Sequence, residues 1–216
     1  NNIIKDDKVA LLQGLSEDGG LFVLENLSDK KINLENLIDK SYTEIAFEVL
    51  KLFFSFDENK LKSVIEKAYS KFSTSKVTPL VELKNAHVLE LFHGPTSAFK
   101  DVALTLLPHL LTAAYKNQNE NDLISILTAT SGDTGKAAIN GFADVKNTAI
   151  TVLYPEIGVS DIQKRQMRTS LGKNVEVIAV KGNFDDCQQI VKEAMKNPVV
   201  LNACKHMKLS SANSIN

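Results

Sequence analysis

Two short stretches carry side chains that could do chemistry. In LFHGPTSAFKD, residues 91–101, Lys100 follows a Gly-Pro turn and a phenylalanine just where an apolar helical pattern begins. A lysine at a helix start opposes the positive end of the macrodipole, so it is either a solvated residue or one held there for another purpose. Partly desolvated beside Ala98 and Phe99, its amine would be neutral part of the time and able to form an imine with a carbonyl group. In LTATSGDTGKAA, residues 127–138, an apolar strand empties into Ser131-Gly132-Asp133-Thr134-Gly135 and then a helix. A helix N-terminus preceded by small residues presents unpaired N–H groups to a carboxylate or phosphate. Ordinary capping by Ser131 or Asp133, with the glycines permitting the turn, is the competing reading, and the charge of Asp133 competes for the same N–H groups. His93 is either a loop or core histidine or a member of the site.

The elements that must position these stretches follow from periodicity. Leu34, Leu37, Ile38, Ile45, Val49 and Leu52 recur at near-helical spacing, and DENKLKSVIEKAYSKF repeats the habit with Asp57 as its N-cap. Ahead of them, Asp18-Gly19-Gly20 signals a turn into a short strand. HVLELF reads as a strand, and KDVALTLLPHLLTAAYK as a long helix in which Pro108 kinks the interior or starts a new turn. From residue 123 three strand-then-helix units follow one another: LISILTAT with SGDTGKAAINGFAD, TAITVLY with SDIQKRQMRTSL, and NVEVIAV with NFDDCQQIVKEAMK. That alternation predicts an α/β fold with a parallel sheet covered by helices.

Composition narrows the partners. The 216 residues are 44% hydrophobic and 24% charged, enough for a core in one or two domains, and 25 Lys+Arg against 26 Asp+Glu leave a formal net charge of −1. With no basic stripe interleaved with aromatic residues, nucleic acid is not an expected partner. Nor is a membrane, since no apolar run nears the roughly 20 residues of a span. Cys187 and Cys204 have no metal-ligand spacing and suit a reducing compartment, so the expectation is a cytoplasmic protein without a metal.

ELFHGPTSAFKD (90–101) and ILTATSGDTG (126–135), in that order and at that separation, resemble threonine synthase, a pyridoxal 5′-phosphate enzyme family of the tryptophan-synthase-β-like fold type II. LLQGLSEDGGLFV (11–23), LYP…VSDIQKRQM (153–167), GNFDDCQQIVKEA (182–194) and LSSANSIN (209–216) extend the resemblance over nearly the whole chain. It implies conversion of O-phospho-L-homoserine and water to L-threonine and phosphate, the last step of threonine biosynthesis. Lys100 would hold the cofactor and then act as the base at Cα, with Phe99 and Asp133 also at the cofactor. Ser131, Gly132, Asp133, Thr134 and Gly135 would receive the substrate carboxylate, while Asn213 and Ser214 would contact its phosphate. The alternatives are another lyase of this fold, such as a threonine dehydratase, and a non-catalytic relative that binds a phosphorylated ligand. Asp133 and His93 speak against the first of these, Lys100 against the second.

The resemblance also sets expectations for organisation. Residues 1–78 form a mostly helical N-terminal region, 79–122 a large-domain segment bearing the lysine, 123–207 a small α/β domain, and 208–216 the start of a return into the large domain. The second half of that large domain, with its glycine-rich loop for the cofactor phosphate, is expected beyond Asn216, so that the chain is a piece of a longer protein. KGNFDD (181–186) imitates such a loop but stands at a strand-to-helix turn. In YPEIGVS (154–160), Ile157 and Gly158 stand where many members carry Gly-Lys.

Overall fold

The computed structural model describes residues 4–14, 16, 20–115, 123–170, 172–203 and 207–210. Three helices open the chain: α1 (Asp7–Gln13), α2 (Tyr42–Leu50) and α3 (Glu58–Tyr69). Asp57 caps α3 as its sequence predicts, accepting from the Lys60 N–H. The helical pattern over residues 34–52 does not form one helix. Leu34–Leu37 is a single 3-10 turn, Asp39 turns left-handed at φ 63°, and Ser41 opens α2 through a capping box with Glu44. A reciprocal cap satisfies two end donors at once, and here it outweighs continuity of the apolar stripe. The strand expected after Gly20 is reduced to a single bridging residue, Leu21.

Strands β1 (Leu80–Leu83) and β2 (Ala86–Leu89) form an antiparallel hairpin, shorter than HVLELF suggests. The lysine segment then enters α4 (Asp101–Leu104), and after a break α5 (Leu107–Ala114) begins with Pro108 in its first turn. The proline thus starts a new helix, where its missing N–H costs nothing. The three predicted strand–helix units are β3 (Leu123–Ala129) with α6 (Asp133–Phe142), β4 (Thr148–Pro155) with α7 (Asp161–Arg168), and β5 (Val175–Val180) with α8 (Phe184–Ala194). After α9 (Pro198–Ala203), β6 (Met207–Ser210) returns beside β3. The sheet order is β5-β4-β3-β6, all parallel.

Both faces of this sheet are covered, as parallel sheets require. Ile124 and Ile126 of β3 and Ile150 and Val152 of β4 belong to one core with Ala137, Ala138 and Phe142 of α6, and that core continues through α5, α3 and Leu11 of α1. Ala129 and Leu153 face a smaller cluster with Cys187 and Val191 of α8. Burial, with Asp186 beside it, pushes the Cys187 thiol up and keeps it inert. Cys204 lies outside the described residues.

Candidate active site

The loop before Lys100 is closed by the residue after it. Asp101 is fully buried. Its Oδ2 accepts from the Thr96 N–H at 2.8 Å and its Oδ1 from the Thr96 hydroxyl at 2.6 Å. The Asp101 N–H donates to the Ala98 carbonyl. Gly94 makes the approach possible: a Cβ there would stand 2.4 Å from the Asp101 Cβ and Oδ2. Lys100 is thereby set as the first half-turn of α4, its carbonyl accepting from the Leu104 N–H at 2.9 Å. The half-buried side chain places Nζ 4.3 Å from the centroid of the Phe99 ring, with no ion pair among the described residues. His93 works elsewhere in the same segment. Its Nε2 meets Glu90 at 2.6 Å, its Nδ1 meets Ser73 Oγ at 3.2 Å, and its ring stacks on Phe92.

The Ser131–Gly135 loop is organised by the residue that immediately precedes it. Thr130, itself 1% exposed, accepts through Oγ1 from the Gly132 N–H (3.0 Å) and the Gly135 N–H (2.7 Å). The cap of α6 is Gly132, at φ 146° and without a side-chain cap, so capping by Ser131 or Asp133 is not what forms here. Two of the expected anion donors are occupied by that hydroxyl. The amides of Asp133 and Thr134, at the first two helical positions, keep no partner among the described residues. A hydroxyl one residue before the loop, pointing back into a turn, is a visible signal for this arrangement.

The two loops meet because their helices touch. A Cβ at Gly141 of α6 would sit 2.1 Å from the Leu104 carbonyl oxygen of α4. At this joint lies a cavity of about 770 Å³ whose lining includes Lys100, Phe99, Leu91, Tyr42, Leu104 and Thr134. That volume suits a small-molecule site, and the mostly apolar lining with a few polar groups has the usual character of one. A second concavity, of about 570 Å³, is lined by Lys67, Lys71, His109 and Lys146 near the end of the sheet where β3 and β4 begin. Among the described residues no group of three or more His, Cys, Asp or Glu could hold a metal, and no helix is long and apolar enough to cross a membrane.

Residues 5–69 match the family model described as threonine synthase N terminus. Threonine synthase of Pseudomonas aeruginosa is 44% identical over 95% of this chain and 44% of its own length, and that of Schizosaccharomyces pombe is 44% identical over 96% and 42%. The PLP-bound crystal structure of threonine synthase from Brucella melitensis superposes with a TM-score of 0.84 at 39% identity, over 98% of this chain and 45% of that one. Over nearly all of its length the chain is similar to threonine synthases. It spans a little under half the length of these relatives.

Within the threonine synthase fold, the residues singled out by sequence divide into three groups. Lys100, Phe99 and Thr134 share the cavity. Ser131 and Asp133 are exposed at its loop, and Gly132 and Gly135 are buried beneath it. Asn213 and Ser214 lie outside the described residues. The turn at Gly158 has φ 99°, a conformation that suits glycine rather than a lysine, and Lys164 of α7 donates to the Glu156 carbonyl across it at 2.7 Å. The glycine of KGNFDD lies against an ordinary cap, in which Asn183 and Asp186 exchange hydrogen bonds at the start of α8.

Proposed function

We propose that the protein is a threonine synthase that acts on O-phospho-L-homoserine with pyridoxal 5′-phosphate held by Lys100. The observation that carries this reading is one cavity lined by both Lys100 and Thr134, which brings the lysine motif and the Ser-Gly-Asp-Thr-Gly motif together. The residues present fit the cofactor. A half-buried amine without an ion pair among the described residues, beside an aromatic ring and apolar walls, suits covalent capture of an aldehyde and a flat ring. When bound, the cofactor supplies an electron sink for charge that develops on the substrate.

The chain's own residues do the rest. Lys100 Nζ takes the proton from the substrate Cα and returns it, acting as general base and acid. The Thr134 hydroxyl and the two amides at the start of α6 that have no partner among the described residues receive the substrate carboxylate, aided by the helix dipole. Asp133 stands beside the cofactor ring's phenolic oxygen, and Asn213 and Ser214 take the substrate phosphate; the resemblance supports these three assignments. Division of the chain at residues 78, 122 and 207, and a reducing, cytoplasmic location suited to the free, buried Cys187, belong to the same proposal.

Reduction of the full-length holoenzyme with borohydride, followed by peptide mapping, should place the pyridoxyl group on Lys100. A label on Lys136 or another lysine would overturn the assignment. Lys136 is the informative competitor, because its Nζ is engaged by Ser170 Oγ at 2.8 Å and by the Gln166 carbonyl at 3.2 Å.

A further inference from the structure

The Ser131–Gly135 loop is held from outside as well as from within. Gln163, in the first turn of α7, reaches it from the neighbouring strand–helix unit. Its Nε2 donates to Asp133 Oδ1 at 2.8 Å, while its Oε1 accepts from Ser160 Oγ at 3.2 Å. Ser160 Oγ also caps α7 by accepting from the Gln163 N–H at 3.3 Å, so the amide is fixed at both ends. The same side chain lies flat on the loop. A Cβ at Gly132 would stand 2.5 Å from the Gln163 Cδ and Nε2.

An isolated surface hydrogen bond would carry little meaning, because its energy against water is small. This one differs in two respects. The loop omits a side chain where Gln163 rests, and Met167, one helical turn on, lies 2.9 Å from where a Cβ of Gly135 would be. Two residues of one face of α7 therefore press on both glycines of the loop. The consequence falls on Asp133. One carboxylate oxygen is held by an amide donor, and the other has no partner among the described residues.

We propose that Gln163 is a positioning residue for this site: it pins Asp133 by Oδ1 and so presents Oδ2 to the ring of the bound cofactor. This rests on the proposed function, in which Asp133 faces that ring. A primary amide suits the position because it can donate to a carboxylate and accept from a hydroxyl at once. Glutamate would set two carboxylates against each other. Methionine would keep the contact with Gly132 and lose the donor.

The test uses full-length holoenzyme with Gln163→Met and Gln163→Glu, both close to glutamine in volume. Gln163→Met should retain cofactor and thermal stability, with kcat down about tenfold and KM within about twofold, as when an interaction that orients the reacting groups is lost. Gln163→Glu should lower kcat further and move the pH midpoint of the bound cofactor's absorption upward by about one unit, because a second negative charge favours the protonated form. A purely structural contact would leave that midpoint in place. The proposal is overturned if Gln163→Met matches the unsubstituted enzyme in kcat, or if Gln163→Glu leaves the midpoint unmoved. If the unsubstituted full-length protein takes up no cofactor, it is the proposed function that fails, and the two failures are told apart by that control.

Discussion

The lysine loop and the glycine-rich loop reach the same cavity by different means. Residues 94–101 are closed by Asp101, a buried carboxylate that acts on its own loop five residues back. Residues 131–135 are closed partly by Thr130 and partly by Gln163, which is 30 residues away from its partner. The first loop is therefore a local arrangement that can hold Lys100 whatever its neighbour does. The second depends in part on α7 staying docked. A site built this way has one rigid wall, where covalent attachment is proposed, and one wall whose fit depends on packing between units.

The largest effect should come from removing the local closure. Asp101→Ala leaves the Thr96 N–H and hydroxyl without their charged acceptor, a loss of about 3 kcal/mol for hydrogen bonds of this kind. Urea unfolding of the full-length protein measures it, and cofactor retention should fall in parallel because Lys100 loses its support. Stability unchanged within error would show that this loop is not self-closed. Next comes the joint between the two walls. Gly141→Ala drives a methyl group into the Leu104 carbonyl; about 3 kcal/mol of overpacking, less about 1 kcal/mol of improved helix propensity, leaves a net loss of about 2 kcal/mol. A stabilised variant would mean that α4 and α6 separate without cost.

Legibility followed the same division. The helix start at Lys100, the Asp57 cap, the restart at Pro108 and the three strand–helix units could be read because each depends on residues close in sequence. The two motifs also pointed to one cavity before any distance was known. What escaped was the support. Gln163 on Asp133 and Gly141 on Leu104 are contacts between units, and no local pattern encodes them. The break at Asp39–Ser41 is a different kind of miss. The Ser41-x-x-Glu44 signal is present in the sequence, but the apolar period running through it masks the boundary.

A smaller effect sharpens the comparison from the other side. Thr130→Val keeps the shape but leaves the buried N–H groups of Gly132 and Gly135 without an acceptor, which should destabilise by about 1–2 kcal/mol. Because Gln163 still holds the loop, this loss should be less than that of Asp101→Ala. Combined with Gln163→Met, the two changes should exceed their sum, since each removes the other's remaining support. Strict additivity by denaturant titration would mean that the two restraints act on the loop independently.

The smallest effect separates the regions by pH. His109 lies on α5, with its Nε2 buried and without a partner among the described residues. Burial, together with Lys71 and Lys67, holds its pKa below the ordinary value of 6.5. The folded protein therefore binds this proton less readily than the unfolded chain. Above pH 6.5 the imidazole is neutral in both states and takes nothing from stability. As the pH falls below that value, the unfolded chain gains the proton first, and stability declines until the folded-state pKa is passed. Amide exchange in α5 should then quicken on going from pH 7 to pH 5 by more than exchange in β3 and β4, once corrected for intrinsic rates. His109→Phe, which cannot take up the proton, should flatten that difference. If α5 in the histidine protein loses no protection relative to the strands, the acid response does not originate at His109.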